Sequence, residues 1–218
     1  MSTIYMTRHG QANSGAKDHE SYDQLSALGH QQARWLGDYF SEIDQSFDRI
    51  IAGDLKRQQE TARGLNIPNL PIETDRRLNE LDYFGLAQDL EEKFAVPFPD
   101  TQEKFVEQIC TILTYWEQGK ITSHVESYDA FHNRIEEIID EFAKRDERVL
   151  MVSSTGVIAS IVAQQLSVPI AHRNRLFVSI MHTSLNRFEL SCGMLLPTLF
   201  CATPHLDRPE RHHARTFI

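Results

Sequence analysis

A chain of 218 residues with 41% hydrophobic content is long enough to bury one sizeable core, so we expect a single domain over residues 1–218. The formal net charge of −9 argues against a nucleic-acid footprint or a polybasic membrane patch, since both need clustered Lys and Arg. Any basic pocket must therefore be local.

The start of the chain and its cysteines indicate a compartment. Residues 1–7 lack the charged start and long apolar run of a signal peptide, and no stretch approaches the roughly 18 apolar residues of a membrane span. Cys110, Cys192 and Cys201 have no Cys-x-x-Cys spacing, which argues against a disulfide framework or a zinc site. We expect a cytoplasmic protein that contacts neither nucleic acid nor membrane.

The first third of the chain alternates strand and helix patterns. Ser26 has the side chain of a helix N-cap, and Gly64 ends a second helical pattern. The predicted elements are strands over residues 4–7, 49–52 and 71–74 and helices over residues 26–40 and 55–64. This alternation predicts an α/β fold.

The last third continues the same alternation. An apolar 3.6-residue stripe predicts a helix over 128–144, and the continuous apolar run RVLMVS predicts a buried parallel strand, Arg148–Ser153, followed by a helix over 156–166. Two late strands are predicted at 184–190 and 194–201. Between the two parts, the sequence through Pro97 and Pro99 loses periodicity, which predicts an excursion over the sheet.

Several polar residues directly follow predicted strands. Arg8 and His9, Arg57, and the turn at 153–156 should all lie at the carboxyl edge of a parallel sheet, where ligands of α/β folds bind. Two guanidinium groups suit phosphate oxygens, and a neutral imidazole offers a lone pair able to attack phosphorus. Taken singly, such residues are more often capping or solvent-facing ones, but together they predict a site for a phosphoryl group.

Five motifs in order carry a family resemblance. TRHGQ, LSALGHQQA, DLKRQQETA, LNEL and VLMVSSTGVIA resemble the histidine phosphatase superfamily, the phosphoglycerate mutase-like proteins. The resemblance implies a three-layer α/β/α sandwich with a mostly parallel mixed sheet and a small lid insertion, here at about 82–123. It also implies that His9 is the phosphorylated nucleophile, that Arg8 and Arg57 clamp phosphate, and that Glu80 protonates the leaving oxygen and later activates water. No metal or other cofactor is implied.

The sequence departs from this family at two positions. Relatives usually have a second histidine in a Ser-His-Gly-Gly pattern, whereas here Ser154 and Thr155 occupy the second and third places. Gly15 stands where many relatives have an asparagine that contacts phosphate. Because Ser154 keeps a hydrogen-bond donor but no charge, we expect it to bind phosphate less well and catalysis to be slow, by about 10²–10³-fold.

Two other histidines are candidates to compensate for Ser154. His182 precedes a late strand, and His205 matches a His-Leu pair that many relatives have near the C-terminus. An isolated histidine is more often a structural residue, so both roles remain alternatives.

The leading hypothesis is a phosphomonoester phosphatase that forms a phosphohistidine and acts on a small phosphorylated substrate. A phosphoglycerate mutase-type isomerase and a pseudoenzyme that binds a phosphorylated ligand are the alternatives. The excursion contains a set of aromatic residues that either line an apolar pocket or, as we expect for most of them, pack the excursion: Tyr83, Phe84, Phe94, Phe98 and Trp116.

Overall fold

One mixed sheet forms the centre of the molecule. The computed structural model describes residues 2–13 and 19–217, and within these ranges the sheet has six strands in the order β3-β2-β4-β1-β5-β6. The strands are β1 (Thr3–Arg8), β2 (Arg49–Ala52), β3 (Ile72–Thr74), β4 (Arg148–Ser153), β5 (Leu185–Ser191) and β6 (Met194–Ala202). The pairs among β3, β2, β4 and β1 are parallel, and β5 and β6 add antiparallel pairs at one side. All six strands were predicted from the sequence.

Helices connect these strands. Within the described ranges they are α1 (His19–Tyr22), α2 (Ala27–Glu42), α3 (Lys56–Gly64), α4 (Tyr83–Phe94), α5 (Gln102–Glu117), α6 (Tyr128–Ala143), α7 (Thr155–Gln165) and α8 (Ile170–Ser179). Short 3-10 turns cover Arg76–Leu78, Pro204–Leu206 and Pro209–Ala214. None of the helices in the described part of the chain has the length and apolarity needed to cross a bilayer.

The helices cover both faces of the sheet. Along β4, Val149 and Met151 pack into the cluster that α4, α5, α6 and α7 form, whereas Leu150 and Val152 pack with α2 and α3. Successive strand residues point to opposite faces, so this division places a helical layer on each side. The predicted three-layer α/β/α sandwich is therefore confirmed.

The excursion over 82–123 is more regular than the sequence suggested. It contains α4 and α5, which begin at side-chain N-caps on Asp82 and Thr101. The loss of periodicity that we expected through Pro97 and Pro99 is confined to the connection between the two helices. Both helices bury apolar side chains in the same core cluster as the sheet.

Helix α8 lacked a sequence signal altogether. It starts after Pro169 and none of its residues is fully buried, so no apolar stripe marks it. The segment after Pro204 packs against the rest of the molecule, with His205, Leu206 and Ala214 buried.

Candidate active site

The carboxyl ends of β1 and β4 build the centre of the site. Arg8 and Ser153 are register partners at the ends of these parallel strands, and the His9 amide donates to the Ser153 carbonyl at 2.9 Å. The next residue, Gly10, donates its amide to Thr61 Oγ1 at 2.9 Å. A Cβ on Gly10 would lie 2.5 Å from the Gly29 carbonyl oxygen of α2, so this close approach requires glycine. The chain is thus fixed on both sides of His9.

The ring of His9 is held in one orientation. Its Nδ1 lies 2.7 Å from the Gly10 carbonyl oxygen, which accepts a hydrogen bond, so Nδ1 carries the proton and Nε2 is an unprotonated acceptor. Arg57 Nε donates to that Nε2 at 3.1 Å. Burial, together with the nearby charges of Arg57 and Arg8, holds the pKa of His9 well below its usual value. The imidazole is therefore neutral and can act as a nucleophile.

Arg57 is anchored by the carboxylate of Asp23, a residue that no sequence motif singled out. Asp23 Oδ1 accepts from Arg57 Nη1 at 2.8 Å and from the Arg57 amide at 3.2 Å, and Oδ2 accepts from the Lys56 amide at 2.9 Å. The guanidinium carbon lies 5.1 Å from the ring centre of Tyr22. Asp23 thus caps the start of α3 and fixes the buried Arg57 side chain against His9.

The Arg8 side chain is held by two backbone carbonyl groups from the last part of the chain. Its Nη1 donates to the Ile180 carbonyl at 2.7 Å and also to the Phe217 carbonyl. Its buried Nε has no hydrogen-bond partner among the described residues. A buried guanidinium with an unused donor at a cleft is a ready anion site.

Glu80 lies where the turn after the Arg76–Leu78 3-10 helix meets the start of α7. Both carboxylate oxygens accept from the Gly156 amide at 3.0 Å, and Oε1 also accepts from the Leu81 amide at 3.0 Å. A Cβ on Gly156 would overlap the carboxylate and lie 2.9 Å from Leu81 Cδ2. The glycine that follows Thr155 therefore makes room for Glu80.

Ser154 is the N-cap residue of α7 and its side chain is fully buried. Its Oγ accepts from Gln58 Nε2 at 2.8 Å, and the same Nε2 donates to the Leu78 carbonyl at 3.0 Å. Of the two residues that replace the family's His-Gly pair, Thr155 rather than Ser154 lines the cleft. The phosphate-binding role of Ser154 remains a prediction.

His182 lies beside the candidate nucleophile. Its ring centre is 5.8 Å from that of His9, and its Nδ1 lies 2.9 Å from Thr216 Oγ1 and 3.1 Å from the Thr216 carbonyl oxygen. Burial and the charge of Arg8 keep the pKa of His182 well below its usual value, so the ring is neutral. His182 is not a lining residue of the cleft, and its compensating role remains a prediction.

His205 contacts the turn that carries His182. Its Nε2 lies 2.8 Å from Thr183 Oγ1, and Thr183 Oγ1 donates to the His182 carbonyl at 2.7 Å, so Nε2 carries the proton and donates to Thr183. Thr183 has a left-handed φ of 56°, which is unusual for a β-branched residue, and its amide donates to the Arg8 carbonyl at 3.1 Å. His205 therefore supports a strained turn behind β1, and the structure gives it no contact with the cleft in the described ranges.

A cleft of about 660 Å³ joins these groups. Arg8, His9, Arg57 and Glu80 all line it, so the structure brings four of the sequence-predicted residues together. Tyr83, Phe84 and Phe98 line it as well, whereas Trp116 is buried in the core and Phe94 packs on Tyr115. Three of the five aromatic residues therefore line the cleft, so our expectation that most of them only pack the excursion was wrong. Gly15 lies outside the described residues.

Some members of the site had no recognisable signal, and one had a weak signal. The contacts of Asp23 with Arg57 and of Phe217 with Arg8 join segments far apart in sequence, and nothing local marks them. Thr61 follows Arg57 by four residues on α3 and so shares its face, which could have indicated its contact with Gly10. In residues 2–13 and 19–217, no group of three or more His, Cys, Asp or Glu side chains is arranged to hold a metal ion.

The chain belongs to the histidine phosphatase superfamily (branch 1), whose family model matches residues 4–195. This match confirms the family predicted from the five motifs. No curated protein matches the chain in sequence.

Solved structures of phosphatases share this fold. A mutant phosphoserine phosphatase from Entamoeba histolytica, in complex with phosphoserine, has a TM-score of 0.68 at 18% identity, covering 94% of this chain and 100% of that chain. The alpha-ribazole phosphatase of Shigella flexneri has a TM-score of 0.65 at 21% identity, with 92% and 96% covered. A mycobacterial glucosyl-3-phosphoglycerate phosphatase in complex with VO3 has a TM-score of 0.65 at 20% identity, with 93% and 100% covered. At these identities the likeness establishes the fold.

Proposed function

We propose that this protein is a phosphomonoester phosphatase that works through a phosphohistidine on His9. The observation that carries the proposal is the position of His9 Nε2. It is unprotonated, buried and 3.1 Å from the Arg57 guanidinium, in a cleft that Arg8 and Glu80 also line. A nucleophile, a pair of cations and a carboxyl group in one concave site are the parts that phosphoryl transfer needs.

In the first step, the phosphoryl group of the substrate binds between Arg8 and Arg57. The Nε of Arg57 then exchanges its hydrogen bond with His9 for one with a phosphoryl oxygen, which frees the imidazole lone pair. Nε2 forms a bond to phosphorus while the bond from phosphorus to the ester oxygen breaks. Protonated Glu80 gives its proton to that oxygen, and the alcohol leaves.

In the second step, Glu80 acts as a base. The carboxylate takes a proton from a water molecule, the water oxygen bonds to phosphorus, and the bond from phosphorus to Nε2 breaks. Inorganic phosphate and free His9 result. The amides of Gly156 and Leu81 hold Glu80 in place through both steps.

We propose that turnover is slow because a neutral hydroxyl stands in for the family's second histidine. The Ser154 Oγ accepts from Gln58, is fully buried and does not line the cleft, so its contribution to binding a phosphoryl group is small. His182, whose ring lies 5.8 Å from that of His9, is the better-placed group to compensate, and His205 acts through Thr183.

Replacing Ser154 tests this explanation. The variant Ser154→His with Thr155→Gly restores the family pattern, and we expect up to roughly 10²-fold faster turnover if the missing donor limits the rate. A fully buried site resists a larger ring, so phosphate binding and unfolding free energy are measured alongside. If the variant is folded and binds phosphate but is no faster, compensation by His182 becomes the better explanation.

The proposed function itself is tested by release of phosphate from phosphomonoesters. We expect release by the native protein and none from His9→Ala, whereas Glu80→Gln should cost about 10²–10⁴-fold in kcat. His212→Ala is the matched control, because His212 is an exposed histidine outside the cleft. Dependence on a bisphosphoglycerate primer would favour the mutase alternative. Phosphate binding without release from any ester would favour the pseudoenzyme alternative.

A further inference from the structure

Beside the proposed phosphoryl site, much of the cleft is lined by aromatic side chains. Aromatic residues of five segments line it: Tyr22 at the end of α1, Tyr83 and Phe84 on α4, Phe98 and Phe105 around the start of α5, Phe177 on α8, and Phe217. These rings give the cleft beside the two arginines a largely apolar lining.

Four of these rings, those of Tyr22, Tyr83, Phe84 and Phe105, pack against one another in pairs. The rings of Tyr83 and Phe105 lie 5.4 Å apart, and those of Tyr22 and Phe84 lie 6.1 Å apart in an edge arrangement. Tyr83 also donates its hydroxyl to Gln108 Oε1 at 2.6 Å, and Gln108 is itself buried. A ligand thus meets a preformed aromatic wall.

The charges that line the cleft do not suit a second anionic group on the substrate. Among the described lining residues the cations are Arg8 and Arg57, and the proposed mechanism assigns both to the phosphoryl group. The lining carboxylates are Glu80 and Asp100, and Asp100 pairs with Lys104 at 2.8 Å at the exposed start of α5. A carboxylate on the leaving group would meet rings and acidic side chains.

We infer that the substrate is a phosphate ester of an apolar, ring-bearing alcohol, whose ring packs on the wall formed by Tyr22, Phe84 and Phe98. This inference rests on the proposed function for its direction, since the phosphoryl end must face His9. It separates this chain from neighbours of the same fold that bind phosphoserine or 3-phosphoglycerate, both of which carry a carboxylate.

The test compares 3-phenylpropyl phosphate with propyl phosphate, whose leaving groups are both primary alcohols and differ in the phenyl ring. We expect kcat/KM for phenylpropyl phosphate to be at least about 10-fold higher than for propyl phosphate, because the phenyl ring moves from water to an apolar wall. 3-Phosphoglycerate should be no better than propyl phosphate. The corresponding phenylpropyl and propyl phosphonates, which cannot be hydrolysed, are compared by calorimetric titration and should show the same order of Kd.

Two phenylalanines of the excursion provide a matched pair of variants. Phe98 is 41% exposed and lines the cleft, whereas Phe94 is 42% exposed and packs on Tyr115 outside it. Phe98→Ala should lower the phenyl preference by about 3-fold or more, and Phe94→Ala should leave it unchanged.

The outcomes separate the inference from the proposed function. Equal kcat/KM and equal Kd for phenyl and propyl ligands, or preference for 3-phosphoglycerate, would overturn the inference while leaving a phosphatase. If phenylpropyl phosphonate binds more tightly than propyl phosphonate but no ester is hydrolysed, the apolar ligand class is supported and the proposed function is overturned.

Discussion

The contact of Gly156 with Glu80 gives a sharp perturbation of the proposed acid-base group. In Gly156→Ala, the new Cβ would overlap Glu80 Oε1, and Leu81 Cδ2 would lie 2.9 Å away, whereas ordinary contact begins at 3.4 Å. The carboxylate is the movable partner, so it must retreat by about 1 Å or more. A displacement of that size at a reacting group costs about 10²-fold, and we expect kcat to fall by that factor.

The same substitution should cost little stability. The carboxylate is half-buried, and its hydrogen bonds to backbone amides contribute about 1 kcal/mol each. Alanine in place of glycine near the start of α7 returns up to about 1 kcal/mol in helix propensity. We therefore expect the free energy of unfolding to change by less than about 2 kcal/mol in a urea titration.

Gly85 offers a matched control for this variant. A Cβ there would likewise overlap a carboxylate, that of Asp82, which caps α4 and is outside the proposed mechanism. Gly85→Ala should lose stability through the cap, by about 1 kcal/mol, and keep kcat within about 3-fold. If Gly156→Ala keeps full kcat, or if Gly85→Ala loses as much, Glu80 is not the group that we propose.

Three further predictions concern ionisable side chains in and around the cleft. Asp23→Asn should lower kcat/KM about 10-fold with the fold retained by circular dichroism, because Arg57 loses its charged anchor at 2.8 Å; an unchanged kcat/KM would show that Asp23 does not position Arg57. Because burial holds the pKa of His9 well below 6.5, kcat/KM should not fall through a histidine titration as pH drops past 6.5, once it is corrected for the second ionisation of the phosphate ester near pH about 6; a remaining loss centred at 6.5 would contradict the buried neutral ring. Burial lowers the pKa of His205 to about 3, so the stability that its neutral ring contributes is full above pH 6.5 and is lost as pH falls towards 3. The free energy of unfolding should fall by up to about 1.4 kcal/mol per pH unit in this window. In urea titrations, the loss between pH 7 and pH 5 should be smaller in His205→Gln than in the native protein.

The sheet could be predicted from the sequence because each strand has a local signal. The run RVLMVS has four consecutive apolar residues, VLMV, and forms β4 in the middle of the sheet, where both faces are covered. By contrast, α8 has no fully buried residue, and the sequence analysis did not predict it. Helices α4 and α5 were not predicted either, because Pro97 and Pro99 in the connection between them interrupt the helical periodicity. The sequence therefore missed α8 because that helix buries little, and it missed α4 and α5 although both bury apolar side chains in the core.

The candidate site could be predicted only as far as the family motifs extend. Arg8, His9, Arg57 and Glu80 lie in such motifs, and the structure brings them to one cleft. The contact between Arg8 and the Phe217 carbonyl spans 209 positions, and no local pattern encodes a contact of that range. The hydrogen bond of Ser154 with Gln58 is of the same kind, because it depends on how α3 and α7 pack.

Trapping of the phosphorylated enzyme tests the central claim most directly. The native protein is mixed with a radiolabelled phosphomonoester and quenched within the first turnover, and the labelled peptide is identified. The proposed mechanism predicts label on His9 that is stable in alkali and labile in acid, and its loss in His9→Ala. Label that persists in His9→Ala, or that is carried by a different residue, would contradict it.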